Sequence, residues 1–237
     1  MILNSRIAII TGASRGLGAA TAEALVQKNA IVYGLARRAD DLKVIHSNLG
    51  ESFIPIPVDI TNKPEVDRWF QTTFSNRYWP DILINNAGSG NFGKIDELPF
   101  EMWQQMVDTN LNGMYYITSA TVPYMKQNPK TCHIINIGSI LGTTGRTESS
   151  AYCATKFGLR GFSESLSYEL RYEGIKVSAI HPGSIETRFF SESGIKSHSN
   201  MLQPKDIADL LIHTLETPDN MLIDEITLRP LNPKKLT

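Results

Sequence analysis

Tyr152 and Lys156, four residues apart in "AYCATKFG", have the types and spacing of a proton-transfer pair. On a helix, positions i and i+4 share a face, so a phenol and an ammonium would stand side by side. A free phenol titrates near 10, too high for an efficient base at neutral pH, and an adjacent cation lowers that value by favouring the phenolate. Such a group can give a proton to a carbonyl oxygen or take one from a hydroxyl. Ser139, upstream at the end of the apolar run "CHIINI", is placed to hydrogen-bond the same oxygen and hold it in register. Taken alone, such a pair is more often part of an ordinary exposed helix, and a lone serine there is more often a turn residue.

A second signal lies in "TGASRGLG", Thr11 to Gly18. Gly12, Gly16 and Gly18 permit a tight turn and let the backbone approach a pyrophosphate, while the helix that follows offers amide hydrogens and a favourable dipole. Ser14, Arg15 and Leu17 lie in the same loop. The spacing G-x-x-x-G-x-G differs from the usual dinucleotide fingerprint, and a plain strand-to-helix turn is the alternative. The next apolar run, "IVYGLA", ends in Ala36 and is followed by Arg37 and Arg38. A carboxylate at that point would suit the ribose of NAD, whereas guanidinium groups suit a 2′-phosphate. Arg15 with Arg37 therefore forms a clamp, with Ser14 adding a hydroxyl, and NADP(H) is expected in preference to NAD(H). The alternative, solvated surface charge, weighs more for Arg38 than for Arg37.

These residues need a scaffold, and the hydrophobic pattern supplies one. Short apolar runs at 6–10, 31–36, 53–58, 81–85, 132–137, 176–180 and 224–229 read as strands, and stretches near 17–29, 39–49, 64–76, 100–127, 151–173 and 204–216 read as helices. Strands apolar on nearly every residue, alternating with helices, imply a parallel sheet covered on both faces. The expected fold is α/β, one doubly wound Rossmann-type sheet in a single domain over 1–237, with the polar, aperiodic segment 184–203 as a mobile substrate flap.

With 23 basic and 24 acidic side chains the formal net charge is −1, which gives no general attraction for nucleic acid or anionic membrane. No run approaches the ~18 apolar residues of a membrane span, and "MILNSRIAIITGAS", interrupted by Asn4, Ser5 and Arg6, reads as a strand entrance and not as a signal peptide. The two cysteines, Cys132 and Cys153, form no C-x-x-C and no zinc ligand set is present, so a reducing cytoplasm is expected and no metal.

The motifs together resemble the short-chain dehydrogenase/reductase family. The glycine loop, "NNAG" at Asn85–Gly88, "TNLNG" holding Asn110, "GS" holding Ser139, "YCATK" and "PG" at Pro182–Gly183 follow one another in the family's order over nearly the whole chain. The resemblance implies hydride exchange between a nicotinamide and a carbonyl or secondary alcohol, with Tyr152 as acid/base, its pKa lowered by Lys156 together with the positive nicotinamide ring of the oxidised cofactor, Ser139 on the substrate oxygen and Asn110 anchoring a water that resupplies the proton. It also implies that Asp59 and Ile60 hold the adenine, that Asn86, Ala87 and Gly88 wall its ribose, and that Pro182, Gly183, Ile185 and Thr187 contact the nicotinamide end. Asn85 is expected to bridge strands, and Asp59 could equally serve as a helix-start acid in "DITNKPEV". Cys153 reads as a packing residue and His181 as structural.

For the substrate, the loops "ILGTTGRTESS" and "SGNFGKIDELPF" and the segment 184–203 would shape a pocket, with Phe189, Phe190, Ile195 and Met201 lending apolar wall. A small ketone or aldehyde is expected; the 3-oxoacyl-acyl-carrier-protein reductases are the second candidate, weakened because the ending "LRPLNPKKLT" lacks their glycines. The resemblance further implies a homo-oligomer, a tetramer before a dimer, and the small-residue stripe Ala154, Gly158, Gly161, Phe162 and Ser165 could meet either a neighbour or the chain's own sheet. The rival function is a non-catalytic dinucleotide-binding regulator on the same fold.

Overall fold

Seven strands, each short and nearly all apolar, form one parallel sheet in the computed structural model, which describes residues 1–75, 78–189 and 198–231. They are β1 (Ile7–Thr11), β2 (Ile31–Ala36), β3 (Phe53–Pro57), β4 (Ile82–Asn85), β5 (Cys132–Ile137), β6 (Ile175–Pro182) and β7 (Glu225–Leu228), in the order β3-β2-β1-β4-β5-β6-β7. Register runs Ile9 beside Tyr33 and Leu83, and Ile135 beside Ile84 and Ser178.

Alternation along the strands divides two cores. Ala8, Ile10, Ile84 and Ile137 point to the face covered by α1 (Gly16–Gln27) and by α7 (Pro204–Leu215), where Leu25, Leu211 and Leu215 are wholly buried. Ile7, Ile9, Leu83 and Ile134 point to the other face, covered by α3 (Lys63–Thr73), α5 (Met114–Met125) and α6 (Ser150–Leu170) through Phe70, Ile117 and Leu166. Burying a Leu, Ile or Phe contributes about 1.5–3 kcal/mol each, and both-face burial favours apolar residues on the strands; polar residues that do occur on them, Asn85, Asn136, Ser178 and His181 among them, are buried as well. The remaining helix of the β2–β3 crossover, α2 (Ala39–Leu49), buries only Leu42.

Boundaries follow the expected pattern within a few residues, with two informative differences. The helix expected over 100–127 is α4 (Phe100–Val107) joined to α5 by a wider π-helical turn at Asp108–Gly113. The helix expected to reach 173 ends at Leu170; a 3₁₀ turn follows, and Gly174, at φ 72, reverses the chain into β6. On α6, Ala154, Gly158, Gly161 and Ser165 are exposed and only Phe162 packs on the core, so the small-residue stripe does not meet the chain's own sheet. Among the described residues no helix is long and apolar enough to cross a membrane.

Candidate active site

β2 and β3 lie on one side of β1 and β4 to β7 on the other, so the chain reverses its winding between β1 and β4 and leaves a crevice at their carboxyl ends. A cavity of ≈ 1130 Å³ occupies that crevice and continues past β5 and β6. Of the residues expected in the site, all but Gly18 and Asn110 line it.

At the β1 end the loop is built for a close approach. Gly12 has φ +67, and a Cβ there would lie 3.0 Å from the Ala87 Cα. A Cβ on Gly18 would lie 2.2 Å from the Gly12 carbonyl oxygen, so Gly18 lets the helix sit against the loop and does not itself face the cavity. The first turn of α1 contains no acid and no side-chain cap, which leaves its amides for an anion; the pyrophosphate of a dinucleotide fits that requirement. Thr11 Oγ1 accepts from the amides of Asn86 and Ala87, each at 3.0 Å, and Asn86 Nδ2 donates to the carbonyls of Thr11 and Gly12 at 2.9 and 3.2 Å. Asn86 thus stitches the loop after β4 to the glycine loop, while Ala87 and Gly88 line the wall. Asn85 bridges β4 to its neighbours, donating to Asn136 Oδ1 at 2.8 Å and Thr118 Oγ1 at 2.9 Å.

Past β2, Arg37 is exposed and has no ion pair among the described residues, whereas Arg38 pairs with Asp41 at 2.6 Å. Asp59 lines the cavity beside Ile60, and its Oδ1 also accepts from Thr61 N at 2.9 Å and Thr61 Oγ1 at 2.8 Å. It therefore closes the turn ahead of α3 as well as facing the cavity.

The other end of the cavity gathers the proton-transfer set. Ser139 follows β5, and its Oγ accepts from Leu141 N at 3.1 Å, which fixes the hydroxyl. Tyr152 and Lys156 project from α6 and are 7% and 5% exposed, with Lys156 Nζ 5.8 Å from the Tyr152 ring centroid. Phe92 and Phe189 flank the phenol at ring distances of 5.2 and 6.0 Å. Burial pushes the Tyr152 phenol up to about 12, opposed by hydrogen bonding with Ser139. Loss of water around the phenol sets this value, and Lys156 is not among its causes. Burial also pulls the Lys156 ammonium down to about 8, and its Nζ donates to the Ile137 carbonyl at 3.0 Å.

Asn110, expected to anchor a water, is buried behind the site. It lies in the π-helical turn, 1% exposed and outside the cavity wall; Nδ2 donates to Ser89 O at 2.9 Å and Thr155 Oγ1 at 3.0 Å, and Oδ1 accepts from Ser89 N at 2.8 Å. Its side chain ties the loop after β4 to α6. Cys153 is buried beside Tyr152. His181 is wholly buried against Gly138, where a Cβ would lie 2.3 Å from its Nδ1.

Pro182, Gly183, Ile185 and Thr187 form the wall beyond β6, and Gly183 N donates to Leu228 O at 2.8 Å. Of the segment 184–203, residues 190–197 lie outside those described, Phe190 and Ile195 among them. The rest is tied down: Glu186 N donates to Leu202 O and Leu202 N to Ser184 O, at 2.8 and 2.9 Å. Met201 is buried but does not reach the cavity, a correction to its expected place in the pocket; pairing of Leu202 with Ile185 turns it inward instead. Phe92 and Arg146 line the cavity from the two loops expected to shape the pocket, and Gln105 of α4 and Thr109 of the π-helical turn line it without having been singled out from sequence.

Over residues 6–197 the chain matches the model of the short chain dehydrogenase family. It is 36% identical over 230 residues to an uncharacterized oxidoreductase of Staphylococcus haemolyticus, covering 97% of this chain and 99% of that one. Among solved structures, a 3-ketoacyl-(acyl-carrier-protein) reductase from Brucella melitensis complexed with NADH has the same fold, with TM-score 0.88 at 24% identity, covering 96% of this chain and 98% of that one. A serine dehydrogenase complexed with NADP+ superposes with TM-score 0.86 at 28% identity, covering 94% and 93%.

Proposed function

The chain belongs to the short-chain dehydrogenase family, and from that premise we propose that this oxidoreductase is an NADP(H)-dependent reductase of ketones or aldehydes, or in reverse a secondary-alcohol dehydrogenase. The observation that carries the reading is one cavity with Ser139, Tyr152 and Lys156 at one end and, at the other, a helix N-terminus with no side-chain cap beside Arg37, which has no ion pair among the described residues. Bound along it, NADPH would supply a hydride to the carbonyl carbon. Gly12, Ser14, Gly16 and Leu17 hold the pyrophosphate, Arg15 and Arg37 the 2′-phosphate, and Asp59, Ile60, Ala87 and Gly88 the adenosine. The NADP+ complex of the serine dehydrogenase supports the same cofactor choice.

Tyr152, pushed up to about 12, is a neutral phenol at physiological pH and so is charged with the proton that the carbonyl oxygen needs. Ser139 donates a hydrogen bond to that oxygen as negative charge develops on it. Lys156, held by the Ile137 carbonyl, stabilises the phenolate left behind. Since the Asn110 side chain is taken up by Ser89 and Thr155, a water that resupplies the proton would be held by the main chain of the π-helical turn that carries Asn110. The outward stripe on α6 supports association with further copies of the chain, a tetramer before a dimer.

Within that reading a small carbonyl compound is proposed before 3-oxoacyl-acyl-carrier protein. Following NADPH absorbance with a panel of ketones, aldehydes and 3-oxoacyl thioesters tests the reading. Turnover of at least one is expected; NADPH binding with no turnover of any would instead mark a non-catalytic dinucleotide-binding regulator.

A further inference from the structure

The charge lining the cavity is lopsided. Arg15, Arg37, Arg38, Arg146, Lys156 and Arg188 contribute six cations, and Asp59 is the one acid among the described lining residues, in a chain whose net charge is −1. The nucleotide reading accounts for Arg15 and Arg37, Arg38 pairs with Asp41, and Lys156 belongs to the proton-transfer set. Arg188 lines the cavity next to Thr187, whose Cγ2 lies 3.1 Å from where a Cβ on Gly16 would stand, and it already has an interaction partner of its own. Arg146 has no such assignment.

Arg146 is carried by the loop between Ser139 and Tyr152, at the opposite end of the cavity from Arg37. That loop is tied to the segment after β4 by Gly93 N donating to Glu148 O at 2.9 Å, and the same segment brings Phe92 to 5.2 Å from the Tyr152 ring. Arg146 therefore stands at the catalytic mouth, beyond the phenol. It forms no ion pair or hydrogen bond among the described residues, in contrast to Arg6 with Asp81, Arg38 with Asp41 and Arg160 with Glu225. Glu148, the nearest acid along its loop, does not line the cavity. Arg146 is exposed and lines the same cavity as Phe92, Leu141 and Phe189; a guanidinium so placed suits a carboxylate or phosphate, which it binds through paired hydrogen bonds, whereas a neutral carbonyl compound has no use for it.

Resting on the reductase reading above, we propose that the substrate is an anionic carbonyl compound, an oxo acid or oxo phosphate, whose anion pairs with Arg146 while its carbonyl meets Tyr152 and Ser139. The test compares acetoacetate with methyl acetoacetate, and hydroxyacetone phosphate with hydroxyacetone, in the NADPH-loaded protein. A charge-assisted pair predicts a preference of about 10- to 100-fold in kcat/KM for one of the anions over its neutral partner, and which pair shows it separates carboxylate from phosphate. Arg146→Gln should collapse that ratio towards one and Arg146→Lys should restore part of it. Calorimetric titration of the NADP+-saturated protein with the preferred anion should show the same loss of binding in Arg146→Gln, with the melting temperature of the variant reporting that it is folded. Neutral ketones or 3-oxoacyl thioesters turned over as well as the anions, or a ratio that survives Arg146→Gln, would overturn this proposal and leave the reductase standing. A folded, NADPH-binding protein that reduces neither class would overturn both.

Discussion

Lys156→Met should make the protein inactive and, at neutral pH, more stable. The Lys156 side chain is buried, its Nζ has the Ile137 carbonyl at 3.0 Å, and no carboxylate is paired with it. Burial draws its pKa from 10.5 down to about 8, which at about 1.4 kcal/mol per unit makes the charged form roughly 3 kcal/mol less favourable inside than in the unfolded chain. Methionine removes that cost but leaves the Ile137 carbonyl without its donor, a loss of about 1–2 kcal/mol. The net gain is about 1–2 kcal/mol at pH 7, and at about 2–4 °C per kcal/mol for a chain of this size the melting temperature should rise by roughly 2–8 °C. The sign reverses with pH. Below pH 8 both states hold the proton and wild type carries the full penalty; between 8 and 10.5 the unfolded state binds more protons, so wild-type stability rises with pH relative to the variant. Urea melts of both proteins at pH 7, 8.5 and 10 measure the difference, and taking it cancels the other groups that titrate in that range. A variant less stable than wild type at pH 7, with a margin that does not change up to pH 10, would refute the reasoning, since the ammonium would then be a stabilising structural contact.

Other outcomes follow from the same geometry. Tyr152→Phe should lower turnover by about 10²–10⁴-fold, the range for a lost acid/base, while NADPH binding measured by fluorescence stays within a few-fold; near-normal turnover would remove Tyr152 from the mechanism. Arg37→Asp should cost NADPH roughly 10- to 100-fold in KM and favour NADH, since a guanidinium–phosphate pair is exchanged for a carboxylate that suits a free ribose; an unaltered preference would place the 2′-phosphate elsewhere. In the direction of reduction, kcat/KM should fall as pH rises through about 8, where Lys156 loses its proton while the Tyr152 phenol, at about 12, keeps its own; a plateau extending beyond pH 9.5 would show that the ammonium is not required.

The sheet was legible because both-face burial writes itself into a sequence as uninterrupted apolar runs: β2 and β5 match their expected limits, and the glycine loop falls where β1 must turn into α1. Site positions were legible where chemistry needs a residue type at a fixed place, as with Ser139, Tyr152 and Lys156. Gly18 and Asn110 show where that logic stops. Each occurs in a motif beside cavity residues, but a motif records that a residue type is required and not which neighbour requires it. For Gly18 the neighbour is the Gly12 carbonyl, and for Asn110 it is Ser89 and Thr155. Arg146 and Phe92 lie on the two loops that were legible as pocket-shaping, but no local pattern distinguishes a loop residue that turns towards a cavity from one that turns away.

The electrostatics of the pair were the least legible part, and they bear on direction. Spacing alone suggested a cation lowering a phenol, a rule that holds in water and at partly exposed sites. Here both groups are buried, and desolvation acts on each towards its neutral form, raising Tyr152 and lowering Lys156. The unliganded protein therefore holds a protonated phenol, the state that reduction consumes, and must lose that proton before it can oxidise an alcohol. Only a further positive charge at the phenol would favour the phenolate, and the oxidised nicotinamide brings one. The apparent pKa of Tyr152 should thus fall when NADP+ binds and not when NADPH does. Ultraviolet difference titration of the phenolate in the two complexes measures this, and equal values in both would show that the cofactor charge does not reach the phenol.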